Sequence, residues 1–306
     1  MAKWLKTTNT ISFSVENHIA RVKLNRPEKR NALSTELLTE LRAALMEADD
    51  LVDVSVVVLE GEGKDFCAGY DLMGAYAGAI NPEEAARQAA ENAKYRPRSG
   101  NFDDDCWSME RQQELVSTIN RMHKFVIAKV QGYCLAGGTD IILSCDMVIA
   151  ADDAKIGFPA TRANGTPPTN WWIYHCGPQW AKRLLATGDM VWGKDAAKIG
   201  LVMDSVPKAQ LEEAVMSLAK RMTFVDVGLL TAHKRVVNLA LELMGGTIMQ
   251  RLALELDARS HLANGPRRTG FKKDVAEFGL KQALKNRDRP FGDGMVRIGE
   301  PQQTFD

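Results

Sequence analysis

The stretch VQGYCLAGGTDIILSCDMVIA (130–150) carries the reading of the fold. An apolar run, FVIAKV (125–130), enters it as a buried strand. A glycine-rich turn follows, then a short helix from Thr139 to Ser144 and a second strand from Met147 to Ala151. About 70 residues earlier the chain has the same form in VVVLEGEGKDFCAGYDL (56–72). Each copy is a buried strand, a glycine, a short connection, Ala-Gly, and a helix-like run with an acid. After a strand, small residues let the backbone turn tightly and leave peptide N–H groups facing outward. Two such turns on neighbouring strands can aim two donors at one oxygen, with Ala68 and Gly137 the chosen donors. Spacing alone favours tight turns made only for packing.

Outward from these turns, ISFSV and IARVKL in the region 11–24 read as two strands joined by Glu16-Asn17-His18. Ser34 is a candidate N-cap for an amphipathic helix bearing Leu37, Leu38, Leu41, Ala44, Leu45 and Ala48. Val54 to Leu59 is a strand buried on both faces. Residues 75–111 read as a helix and then an irregular loop holding RPRSGNFDDDCW, with Asp103, Asp104, Asp105, Trp107 and Glu110 on that loop. A helix follows from Gln179 to Ala186, and Val202 to Val206 is the last strand. From Pro207 to about Asn286 the pattern is helical, and the tail reads as loop. The expected division is an α/β part, 1–205, and a helical part, 206–306.

Composition narrows the function by exclusion. The 306 residues carry 39 basic and 39 acidic side chains, a formal net charge of zero, which argues against nucleic acid as a partner. No apolar run approaches the roughly 20 residues of a membrane span, and the N-terminal stretch has no secretory pattern. Five cysteines without CxxC spacing and scattered histidines without HExxH speak against a disulfide framework or zinc site. A cytoplasmic protein without membrane partner is expected.

In order and spacing, LNRPEKRNALS (24–34), FCAGYDL (66–72), the stretch at 130–150, IGFP (156–159), GPQWAKRLLATGD (177–189) and AAKIGLV (196–202) resemble the crotonase, or enoyl-CoA hydratase/isomerase, superfamily. The resemblance spans about Ile11 to Phe291. It implies an α/β spiral of ββα repeats with a C-terminal helical trimerisation region, assembled as a trimer or dimer of trimers. It implies an acyl-CoA substrate, whose CoA is not a cofactor, and no metal or other cofactor. It makes Ala68 and Gly137 the N–H donors of an oxyanion hole for a thioester enolate, overturning the packing-only reading. Gly69, Tyr70, Asp71 and Leu72 would line the CoA path, with Gly138 beside the second turn. Glu28, Lys29, Arg30 and Ala32 would lie on its other side, and Lys285 would reach the phosphates.

The resemblance also shows what is unusual. Family hydratases use two carboxylates. The first position holds Asp140 here instead of the usual glutamate, and the second holds Ala160. Adding water to a double bond needs a base for the water and an acid for the α-carbon. Arg162 is a candidate to hold a substrate carboxylate or to pair with an acid in the wall. His175, Tyr174 and the triple aspartate are further candidates, and Trp171 and Trp172 are candidate walls of the acyl pocket or plain core. The implied activity is an enoyl-CoA hydratase or isomerase. The alternatives are another reaction of the family, such as decarboxylation or thioester hydrolysis, or a weakly catalytic acyl-CoA binding protein; RNA binding ranks below these.

Overall fold

A computed structural model describes residues 2–96 and 101–301. Strands β1 (Ile11–Glu16) and β2 (Ile19–Leu24) form an antiparallel hairpin. Its two-residue loop, Asn17-His18, takes left-handed φ values of 50° and 65°, which match the twist of a tight hairpin. Helix α1 (Thr35–Asp50) starts as expected at Ser34, whose hydroxyl accepts the Leu37 N–H at 3.2 Å. Strand β3 (Val56–Gly61) is buried at every position because sheet neighbours and helices cover both faces.

Three helices follow, α2 (Leu72–Ala75), α3 (Ala77–Ile80) and α4 (Pro82–Glu91). Helix α5 (Phe102–Arg121) comes next, and it corrects the sequence reading. Asp103 to Arg111 are helical, not loop. Asn101 caps the helix by accepting the Asp104 N–H at 3.0 Å, and the three aspartates occupy the first turn, where the helix dipole favours them. Residues 97–100 of the expected loop lie outside the described residues.

The chain then lays down β4 (Phe125–Val130), β5 (Tyr133–Leu135), α6 (Gly137–Ile142), β6 (Met147–Ala151) and β7 (Lys155–Gly157). Next come α7 (Trp172–Thr187), β8 (Met190–Trp192), α8 (Gly193–Lys198) and β9 (Asp204–Val206). The larger sheet runs β1-β2-β3-β4-β6-β9, parallel from β2 onward, and a small sheet runs β5-β7-β8. The units β4–β5–α6 and β6–β7–α7 therefore each give one strand to each sheet before a helix, the repeat expected of a ββα spiral. The three-residue strands of the small sheet are too short to show a period in the sequence. Helix α7 also begins earlier than expected and breaks at Gly177, so its first turn carries Trp172 to Cys176.

Four helices complete the chain: α9 (Leu211–Met222), α10 (Val227–Leu243), α11 (Gly246–His261) and α12 (Pro266–Asp288). Helix α9 covers β3, β4 and β6. Helix α11 packs on α5, and α12 packs on α3 and on the turn Pro159–Arg162. Asn164 fixes that closure, since its amide donates to the Tyr76 hydroxyl at 2.8 Å and accepts from Arg287 at 2.7 Å. The helical region thus folds back over the spiral at α3, α5 and the turn Pro159–Arg162.

Candidate active site

The two glycine turns lie side by side. Cys67 and Cys134 form a parallel bridge, with the Cys67 N–H on the Tyr133 carbonyl and the Leu135 N–H on the Cys67 carbonyl, both at 2.9 Å. Gly69 has φ 102°, and a Cβ there would sit 2.9 Å from the Ala136 Cβ and 3.0 Å from the Leu135 carbonyl oxygen. Both the backbone angle and the close approach require glycine. On the facing turn Ala136 itself adopts φ 48°, ψ −117°, an unfavourable conformation for a residue with a Cβ. It turns the backbone sharply into α6.

One expected donor is corrected. The Ala68 N–H is committed to the Arg30 carbonyl at 2.9 Å. Arg30 offers that carbonyl because it sits in a left-handed conformation after the turn Pro27–Lys29. The Tyr70 and Gly137 N–H groups donate to no backbone carbonyl among the described residues. Counting three residues on from the Cys67–Cys134 bridge puts Tyr70 opposite Gly137, so two N–H groups without a backbone acceptor face each other on the two turns.

Asp140 lies fully buried one helical turn after Ala136. Its Oδ2 accepts the Tyr70 hydroxyl at 2.7 Å, while its Oδ1 is buried with no partner among the described residues. Burial pushes the Asp140 carboxyl well above the usual carboxylate range; the Tyr70 hydrogen bond opposes this and the charge of Asp257 adds to it. The Tyr70 phenol is likewise raised well above its ordinary value, first by burial and then by Asp140. A carboxyl that holds its proton more tightly than usual, with one oxygen free, suits a proton donor.

The remaining expected residues fall into three groups. Gly138 packs its α-carbon towards Cys67, and Leu72 opens α2 at the lip of the first turn. Glu28, Arg30 and Ala32 stay at the mouth, with Glu28 and Arg30 exposed; the Arg30 guanidinium stands 5.3 Å from the Tyr133 ring centre. The Ala32 carbonyl is held by Arg26, which also pairs with Asp71 at 3.1 Å, and Asp71 caps α2 through the Met73 N–H. Arg162 is the wall ion pair and not a free substrate ligand. Its guanidinium is saturated by the Thr187 carbonyl at 3.0 Å, Asp189 at 3.0 Å and Asp288 at 3.1 Å, and it stacks 4.0 Å from the Phe291 ring centre.

Trp171 is buried and lines a cavity of about 380 Å³ between α5, α10 and α11, to which Asp140 does not contribute. Trp172 is core. His175 bonds the Leu143 carbonyl at 3.0 Å, and burial holds its pKa below the ordinary value, so it serves packing. Lys285 is exposed on α12. The sequence reading passed over Asp257 and His261 on α11, and it placed Asp105 on a loop. The structure joins the three: His261 Nδ1 lies 2.8 Å from Asp105 and its Nε2 3.6 Å from Asp257.

Comparison with known proteins follows the same lines. A family model described as enoyl-CoA hydratase/isomerase matches residues 14–99 and 94–265. The hydroxycinnamoyl-CoA hydratase-lyase of Pseudomonas fluorescens is 30% identical over 281 residues, covering 90% of this chain and 95% of that protein. The crotonyl-CoA hydratase of Syntrophomonas wolfei is 30% identical over 252 residues, 81% and 87% of the two chains. A solved enoyl-CoA hydratase from Mycobacterium smegmatis superposes with a TM-score of 0.83 at 34% identity, over 95% of this chain and 97% of that one. The chain belongs to the enoyl-CoA hydratase/isomerase family.

Proposed function

We propose that this protein hydrates a 2-enoyl-CoA thioester, stabilising the enolate at the two glycine turns and protonating its α-carbon from Asp140. The observation that carries the reading is the buried Asp140 carboxyl with an unpartnered Oδ1, next to two uncommitted N–H groups. The thioester oxygen accepts from the Tyr70 and Gly137 N–H groups, and negative charge developing there is stabilised by fixed dipoles that need not reorganise as it builds. The electron sink belongs to the thioester itself, so the reaction asks for no metal or redox cofactor. CoA enters past Glu28, Arg30 and Ala32 and along Gly69 to Leu72.

The name of the Pseudomonas fluorescens relative supports extending the reaction to a hydratase-lyase, in which the hydrated product is cleaved. Self-association is part of the reading. Val236, Val237, Leu243, Met244 and Ile248 lie exposed on α10 and its junction with α11, an apolar face suited to a trimer or a dimer of trimers. Five free cysteines suit a cytoplasmic setting, and among the described residues no helix is long and apolar enough to cross a membrane.

The test is mass spectrometry of 2-enoyl, 3-enoyl, 3-hydroxyacyl and malonyl-type CoA thioesters incubated with the protein in heavy water. A water-sized mass gain on the 2-enoyl thioester is expected. A shift of double bond with deuterium uptake but no water gain identifies an isomerase instead. Binding without any change on the panel identifies a binding protein.

A further inference from the structure

We propose that Asp257, on α11, is the second catalytic carboxylate of this site and accepts a proton from the water that adds to the double bond. The inference rests on the hydratase reading and names the group that stands in for the acid absent at Ala160.

The turn that begins at the vacated position leads directly to Asp257. The Asn164 and Gly165 N–H groups fold back on the Ala160 carbonyl at 2.7 and 3.2 Å. The next residue, Thr166, donates its N–H to Asp257 Oδ1 at 2.7 Å. Gly165 makes this approach possible, since a Cβ there would lie 2.5 Å from Asp257 Oδ1 and 3.1 Å from His261 Nε2. Helix α11 thus delivers a carboxylate to the end of the same turn whose start lacks one.

The surroundings of Asp257 are those of a poised base. The residue is 3% exposed. Its Oδ1 collects the hydrogen bonds, from the Thr166 N–H and hydroxyl and the Ser260 hydroxyl, and faces His261 Nε2. Its Oδ2 takes none among the described residues, and it is not sealed off as Asp140 Oδ1 is. Burial raises the Asp257 carboxyl above its ordinary value, Asp105 adds to this, and His261, Thr166 and Ser260 pull the other way. The charge of Asp257 in turn contributes to the raised Asp140 and Tyr70, so the three groups share one low-dielectric region. The row Asp105–His261–Asp257 fixes the carboxylate and screens its charge.

Two acids in unlike settings divide the work. Asp257 takes one proton from water as the oxygen bonds to the β-carbon. The π-electron pair moves to the α-carbon–carbonyl unit, and the thioester oxygen becomes negative against the Tyr70 and Gly137 N–H groups. The α-carbon then takes the Asp140 proton. Asp257 releases its proton to solvent and Asp140 regains one, so the net change is one water added.

The test is steady-state hydration of crotonyl-CoA by the full-length wild type and by Asp257→Asn, which keeps the shape and an acceptor for Thr166. A fall in kcat of about 10²- to 10⁴-fold is expected, the range for loss of a general base. KM should stay within about threefold, the scale of a residue that acts in the transition state more than in binding. The low-pH limb of kcat/KM, set by Asp257 gaining a proton among Asp105, His261, Asp140 and Tyr70, should disappear. If the asparagine variant does not fold, Asp257→Glu is read on kcat alone, since it keeps a titrating charge and the low-pH limb but moves the carboxylate by one methylene. A kcat within about threefold of wild type in the folded variant overturns the role of Asp257. A wild type that hydrates no 2-enoyl thioester overturns the underlying reading along with it.

Discussion

The turns at 66–70 and 134–140 share a sequence form but not a task. In the first, the Ala68 N–H is used up by Arg30, and the turn contributes the Tyr70 side chain, which reaches across to the second. In the second, the strained Ala136 leads into α6, and the turn contributes the Asp140 carboxyl that receives Tyr70. Similar strand-and-turn forms therefore leave facing N–H groups without backbone acceptors, while the side chains just beyond them differ. The helical region adds a further buried carboxylate, Asp257, bound to the Thr166 N–H.

The comparison is broken most forcefully at Asp140. Asp140→Asn keeps the Tyr70 partner but has no proton to give the α-carbon, so kcat should fall by about 10²- to 10⁴-fold in a hydration assay. An unchanged kcat would mean that the second turn, like the first, serves geometry alone.

Next comes Arg162, which tests whether the wall beside the second turn is structural. Arg162→Ala removes the buried cation between Asp189 and Asp288, which keep Arg183 and Arg287 as partners. The loss of its charged hydrogen bonds costs about 1.5–3 kcal/mol, less than for a buried charge left unpaired. Thermal denaturation should register it, while KM of the folded fraction stays as in wild type. A raised KM with unaltered stability would return Arg162 to the substrate.

Tyr70→Phe sharpens the link between the turns. It removes the only hydrogen bond to Asp140 Oδ2 among the described residues and should destabilise the protein by about 1–3 kcal/mol, the cost of an unsatisfied buried acceptor. The backbone N–H at position 70 survives, so hydration should weaken far less than in Asp140→Asn.

How much of this was legible in the sequence follows from what each residue type signals locally. The hairpin, α1 and β3 showed through period and capping residues such as Ser34, while the last strand, expected from Val202, is only Asp204–Val206. Asp140 showed through its place after the Gly-Gly turn. The donor at Tyr70 did not, because pairing Ala68 with Gly137 is two residues out of step with the Cys67–Cys134 bridge that fixes the register. Helix α5 was hidden because a run of three aspartates reads as a solvated turn until Asn101 is seen to cap it. Asp257 was invisible for a different reason. It sits on an ordinary amphipathic helix, 97 positions beyond Ala160, and only the folding back of α11 brings it to the turn that Ala160 starts.

The smallest expected effect concerns stability, and its sign separates the two acids of this site from ordinary surface carboxylates. The folded-state pKa of Asp140 is raised, chiefly by burial. In the unfolded chain an aspartate gives up its proton near pH ~3.9. Between that pH and the raised folded value, the native state binds more protons than the unfolded state, so stability falls as pH rises through this window. Asparagine at position 140 has no proton to lose, and its variant should not share that decline. Melting curves of wild type and Asp140→Asn should therefore converge at low pH and separate as pH rises towards neutrality, with the inactive variant the more stable. A wild type that gains on the variant over that range would mean that Asp140 is ionised in the folded protein. It would then act on the substrate as a base, and the division of labour with Asp257 would be reversed.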